Sequence, residues 1–123
     1  MILGSVNANR EAMIQIAVLN DGRRSKSVRT IIDTGYTGDL MLPRAIVDEL
    51  KLTLRGIQSA ILGDGSLKMF EMYASAVIWD GQVRRVEVNV SETESLVGMG
   101  LLEDYKLEIE GRAGGMVKIT TLL

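Results

Sequence analysis

The stretch RTIIDTGYTGDLMLP, Arg29 to Pro43, decides how the rest of the chain is read. Thr30, Ile31 and Ile32 are strand-forming residues, and they run straight into an acid, Asp33, followed by Thr34 and Gly35. Two outcomes are open. The acid can be the solvated end of a strand, where Asp accepts local backbone bonds and Gly eases a turn. Or it can sit at a dry centre, where a carboxylate is costly unless paired or hydrogen-bonded. The flanks favour the dry centre. Ile31 and Ile32 precede the acid, and Leu40, Met41 and Leu42 follow it.

On both sides of this stretch the apolar pattern is mostly of period two. MIQIAVL (13–19) alternates loosely and ends at the turn signal NDGR (20–23). Pro43 opens PRAIVDEL, whose Ile46, Val47 and Leu50 fall at helical spacing. Proline suits a first helical position through its fixed φ and missing N–H. IQSAIL (57–62), the turn GDGS (63–66) and the run LKMFEMYASAVIW (67–79) read as a hairpin. Asp80-Gly81 is a two-residue type I′ signal, joining that run to QVRRVEVNV (82–90). Val83 is out of step with Val86, Val88 and Val90, so a bulge or register change is expected at Arg84-Arg85. SETES (91–95) is a polar loop, and LVGMGLLEDY (96–105) turns from an apolar patch into a helical stretch near 101–105. KLEIE, GRAGG and MVKITTLL close the chain as strand, turn and strand. The pattern predicts a single all-β domain over 1–123, with eight to ten short strands in a sandwich or a closed, barrel-like sheet and one or two short helices.

Composition narrows the chemistry. A chain of 123 residues fits one domain and buries roughly 65–70% of its extended surface. Hydrophobic residues make up 46%, which argues against disorder. The net charge of −2, from 14 basic and 16 acidic residues, argues against nucleic acid as a partner. There is no cysteine and no histidine. That removes Ser-His and Cys-His nucleophile pairs and ordinary zinc sites, so acid–base work falls to carboxylates, lysine or tyrosine. MILGSVNANREAM at the start lacks the basic region of a secretory signal, and no apolar run approaches the ~20 residues of a membrane span. A cytoplasmic protein with no membrane partner is the expectation.

Taken together, IIDTGYTGDLMLP, ILGDGS (61–66) and SLVGMGLL (95–102) resemble a retropepsin-like aspartic protease, of the small single-domain bacterial type. The resemblance runs from about Ile14 to Ile119, with the motifs in the family's order and Gly98 lying 65 residues beyond Asp33. It implies an acid-protease barrel and an aspartic endopeptidase acting on peptides, without metal or cofactor. Asp33 would be the catalytic carboxylate. Thr34 would tie two catalytic loops together, and Gly35 would let the backbone approach carboxylate and substrate. Leu96, Val97 and Gly98 would pack behind the Asp33 loop. Gly35, Tyr36 and the flap tip Leu62, Gly63, Asp64, Gly65 and Ser66, within a hairpin around 61–67, would meet the peptide. Asp33 alone among the aspartates is followed by Thr-Gly or Ser-Gly. A carboxyl pair therefore requires a two-fold homodimer, Asp33 facing its copy.

The chain departs from the family in three places. Tyr36 stands where retroviral enzymes carry Ala and pepsin-like ones Ser or Thr, and could narrow the cleft. The acid–arginine pair of retroviral enzymes is absent, since Thr37, Gly38 and Met99 hold those positions. Gly100 stands where an Asp or Asn often caps the last helix. Two other functions fit the same residues: a peptide-binding or assembly module with little turnover, and a structural β-domain in which Asp33 caps a turn. The basic run RRSKSVR (23–29) and the acidic Glu92, Glu94, Glu103 and Asp104 read as solvated surface. Met69, Phe70 and Met72 read as core filling or an exposed strand face ahead of the lining of a flexible substrate cleft, and Trp79 reads as a packing residue.

Overall fold

Alternating burial organises the sheet. In the computed structural model, which describes residues 1–123, ten strands and two helices follow in order. They are β1 (Ile2–Val6), β2 (Ala12–Leu19), β3 (Ser25–Ile32), β4 (Leu40–Pro43), α1 (Arg44–Leu50), β5 (Thr53–Ile61) and β6 (Leu67–Trp79). Then come β7 (Gln82–Ser91), β8 (Leu96–Val97), α2 (Met99–Leu102), β9 (Tyr105–Ile109) and β10 (Met116–Thr121). Ala12, Ile14, Ile16 and Val18 of β2 point inward, as do Val28, Thr30 and Ile32 of β3 and Leu40 and Leu42 of β4. Each fully buried aliphatic side chain contributes roughly 1.5–3 kcal/mol. Thr30 is the polar exception, and its hydroxyl donates to the Ile14 carbonyl at 3.0 Å.

The strands form one sheet in the order β5-β6-β7-β4-β8-β3-β2-β1-β10-β9. A further antiparallel pairing of β2 with β6, Ala17 opposite Ile78, brings the sheet back on itself. Two pairings are parallel: β3 with β8, and β4 with β7. β8 thus lies between β3 and β4, antiparallel to β4 and parallel to β3. That insertion carries the chain from 96–98 under the turn that follows β3.

The local signals at 63–66 and 80–81 hold. Asp80 and Gly81 both take positive φ, 52° and 80°, as a type I′ turn requires. The other local expectations shift. Pro43 stays extended (φ −60°, ψ 150°) and pairs with Ser91, so α1 begins at Arg44. α2 lies at 99–102 rather than 101–105, because Gly98 is its N-cap and Asp104 (φ 67°) turns the chain out towards β9.

No bulge occurs at Arg84-Arg85. β6 and β7 pair without interruption from Met72–Asn89 to Trp79–Gln82. Arg84 keeps the inward phase of Val86 and Val88, and Val83 is left 63% exposed. Arg84 tolerates that place because its guanidinium donates to the Gly100 and Leu101 carbonyls, both at 2.9 Å. These are the C-terminal carbonyls of α2, which a helix cannot satisfy internally. The irregularity in the sheet falls instead between Leu54 and Gly56, at the base of the β5–β6 hairpin. Trp79 is buried, edge-on to Tyr105 with ring centroids 5.8 Å apart.

Candidate active site

Asp33 is the first residue beyond β3, and the β3–β8 pairing fixes where it sits. The Ile31 N–H donates to Ser95 O and the Asp33 N–H to Val97 O, both at 2.9 Å. The inward phase of Ile32 leaves Ile31 and the paired Leu96 on the other face, both half-buried. The carboxylate is half-exposed, and its Oδ1 accepts the Gly35 N–H at 2.9 Å. Tyr36 N–H closes the turn onto Asp33 O at 3.1 Å.

The segment 36–39 is then gripped from below by 98–100. Met99 N–H donates to Tyr36 O at 2.8 Å, Gly100 N–H to Gly38 O at 3.0 Å, and Gly98 N–H to Asp39 O at 3.0 Å. Gly98 is required by proximity. A Cβ there would lie 2.5 Å from Tyr36 Cδ2 and 2.7 Å from Tyr36 O, and closer still to Gly38 O. Gly100 lies within α2 rather than capping it, and a Cβ on it would meet Asp39 Oδ1 and the Gly38 backbone. Asp39 in turn accepts the Glu87 N–H at 3.0 Å.

Asp33 opens onto a depression of about 630 Å³. Ile31, Thr34 and Leu96 lie beside it, and Arg10, Glu11 and Glu94 bring charge to the walls. A second depression of about 900 Å³, with Asp21, Arg23, Arg55 and Arg85 among its walls, does not contain Asp33. No group of three or more carboxylates comes together in a way that could hold a metal ion.

The remaining motif residues separate into two places. Thr34 and Gly35 are exposed beside Asp33, while Val97 and Gly98 are buried behind it. Tyr36 is not a wall of the depression. Its ring packs on Gly38 and Gly98, and its hydroxyl donates to Asn89 Oδ1 at 2.7 Å. Burial, then the nearby charges of Asp39 and Glu87, push that hydroxyl up to about 12. Leu62 to Ser66 form the exposed tip of the β5–β6 hairpin and are likewise absent from the depression's walls. Asp64 Oδ1 accepts the Ser66 hydroxyl at 2.6 Å and the Ser66 N–H at 2.9 Å, and these bonds hold its carboxyl below the usual range. Exposed Ile57, Ile61, Leu67 and Met69 make this hairpin apolar.

Sequence reasoning passed over Asn89 and Asp39 and took Arg84 only for the place of a bulge. Only Arg84 carried a signal, its even-numbered phase with Val86 and Val88.

The chain as a whole has counterparts among solved structures. The fold is retropepsin-like. A retropepsin-like aspartic protease from Rickettsia conorii matches 98% of this chain and 91% of its own, at a TM-score of 0.58 and 18% identity. EIAV protease complexed with the inhibitor HBY-793 matches 80% of this chain and 90% of its own, at a TM-score of 0.56 and 16% identity. No family model and no curated protein matches the sequence. Within the retropepsin-like fold, Asp33 to Gly35 and Leu96 to Gly98 are the two segments that meet at the β3–β8 pair. No helix of the structure is long and apolar enough to cross a membrane.

Proposed function

We propose that this chain is an aspartic endopeptidase that works as a two-fold homodimer, with Asp33 of each copy forming the catalytic pair. One observation carries the proposal: Asp33 is presented at an open depression by a turn that the stretch 95–100 braces from behind through backbone hydrogen bonds. A surface turn cap would not need that brace. Two carboxyls brought to about 3 Å cannot both ionise and share one proton, as is general for such dyads. The ionised member takes a proton from a water as it attacks the peptide carbonyl. The protonated member donates to the carbonyl oxygen. Collapse of the tetrahedral intermediate returns a proton to the leaving nitrogen. No cofactor enters these steps.

One chain holds one such acid, so the pair needs a second copy. Ile109, 47% exposed on the edge strand β9, lines the Asp33 depression and offers an apolar side chain where that contact would form. The β5–β6 hairpin is the element proposed to close over an extended peptide, bound partly by main-chain bonds. The sheet's return through β2 and β6 is the basis for describing it as a closed barrel. The peptide-binding alternative takes its motive from Tyr36 filling the cleft, and the inward packing of that ring removes the motive.

The test is cleavage of an unbiased peptide mixture at acidic and neutral pH by wild type and Asp33→Asn, with sedimentation of the same samples. Turnover should fall about a thousandfold or more in the variant, with secondary structure unchanged. Cleavage by a species that sediments strictly as a monomer would end the mechanism.

A further inference from the structure

We infer that Tyr36 is a positioning residue, a bolt that fixes the height and tilt of the Asp33 turn by fastening it to β7 and to the Gly98 crossing. This inference rests on the peptidase reading above and assigns a role to a residue that the chemistry itself does not use. Four contacts converge on Tyr36. Its N–H donates to Asp33 O at 3.1 Å, and its carbonyl accepts Met99 N–H at 2.8 Å. Its ring fills the space that Gly38 and Gly98 leave by having no Cβ. Its hydroxyl donates to Asn89 Oδ1 at 2.7 Å and approaches Leu40 O at 3.4 Å.

The direction of the hydroxyl bond is settled by its chemistry. Asn89 Oδ1 only accepts, and a tyrosine held protonated to about pH 12 remains a donor wherever a carboxyl pair can work. Asn89 lies opposite Met41 on β4 and Met72 on β6. Its amide is thus a polar group among apolar cross-strand neighbours, and Tyr36 gives that amide a partner. The bond joins a catalytic turn to a strand 53 residues away. A pair of carboxyls that must share a proton tolerates little displacement, since misplacement by about 1 Å can cost a hundredfold in rate. A small residue at position 36 would leave a void under the turn.

The experiment compares wild type, Tyr36→Phe, Asn89→Leu and the double variant on one cleaved peptide, alongside amide hydrogen exchange. Tyr36→Phe keeps the ring and removes the donor. It should lower kcat about tenfold with KM within about twofold, because only the alignment of the turn is lost. The double variant removes both polar partners and puts an apolar side chain between two methionines, so it should regain most of kcat. A changed KM or cleavage-site preference with unchanged kcat would make Tyr36 a cleft residue and overturn the inference. So would a double variant no better than Tyr36→Phe. If wild type cleaves nothing, the peptidase reading fails, and exchange still tests the bolt. The Gly35 and Met99 amides should exchange about tenfold faster in Tyr36→Phe, and unchanged rates would overturn it.

Discussion

Gly98→Ala is the sharpest probe of how the turn is held. The new methyl carbon would stand 2.7 Å from Tyr36 O and closer still to Gly38 O, backbone atoms with no rotamer to escape into, and 2.5 Å from Tyr36 Cδ2 in the ring. Such separations force a shift of several tenths of an ångström, and overpacking of this kind costs about 1–3 kcal/mol. The shift also pulls on two bonds, Gly98 N–H to Asp39 O at 3.0 Å and Met99 N–H to Tyr36 O at 2.8 Å. At about 1 kcal/mol each, their loss brings the total to about 3–5 kcal/mol. That is about a fifth or more of the stability of a typical small domain. Urea unfolding at one fixed protein concentration for every variant would read it, so that the mass-action term of any association is compared at the same concentration. Gly63→Ala is the matched control. It has no atom within 4 Å of the added carbon and its φ is not positive, so it should stay within about 0.5 kcal/mol of wild type. A Gly98→Ala midpoint equal to that of Gly63→Ala would refute the close crossing and, with it, the brace behind Asp33.

Other outcomes follow from the same contacts. Arg84→Met keeps the aliphatic stem but leaves the Gly100 and Leu101 carbonyls without a donor, and should lower stability by about 2–4 kcal/mol in urea unfolding. A change below about 0.5 kcal/mol would mean that α2 needs no such cap. The Tyr36 hydroxyl titrates near 12 in the folded chain against about 10 when unfolded. The folded state therefore holds the proton longer, and this contribution is intact below pH ~10 and lost as pH rises through ~12. The stability gap between wild type and Tyr36→Phe should shrink across that window. A gap that stays constant would show the hydroxyl to be as free as an exposed one.

Much of this protein is decided by short-range chemistry that the sequence carries openly. The Asp80-Gly81 hairpin needs two residues that accept positive φ, and they stand side by side. The helix after Pro43 announces itself through Ile46, Val47 and Leu50, even though Pro43 remains in its strand. The apolar runs around Asp33 mark the end of β3, but the dry centre they favour is not what the fold provides: Asp33 is half-exposed, with Thr34 and Gly35 exposed beside it. The tertiary structure alone decides the matters that join distant segments. In the sequence Arg84 looks like a break in β7, and in the fold it is an inward residue answering carbonyls at 100 and 101. Tyr36 looks like a cleft residue, and its ring turns inward onto Gly98 and Asn89. The β2–β6 pairing and the passage of β8 between β3 and β4 leave no mark in any local window. A backbone conformation is set by the residues that adopt it, and so it can be read from them. The partner of a side chain is set by which strands the whole core brings together, and that is a property of the packed chain.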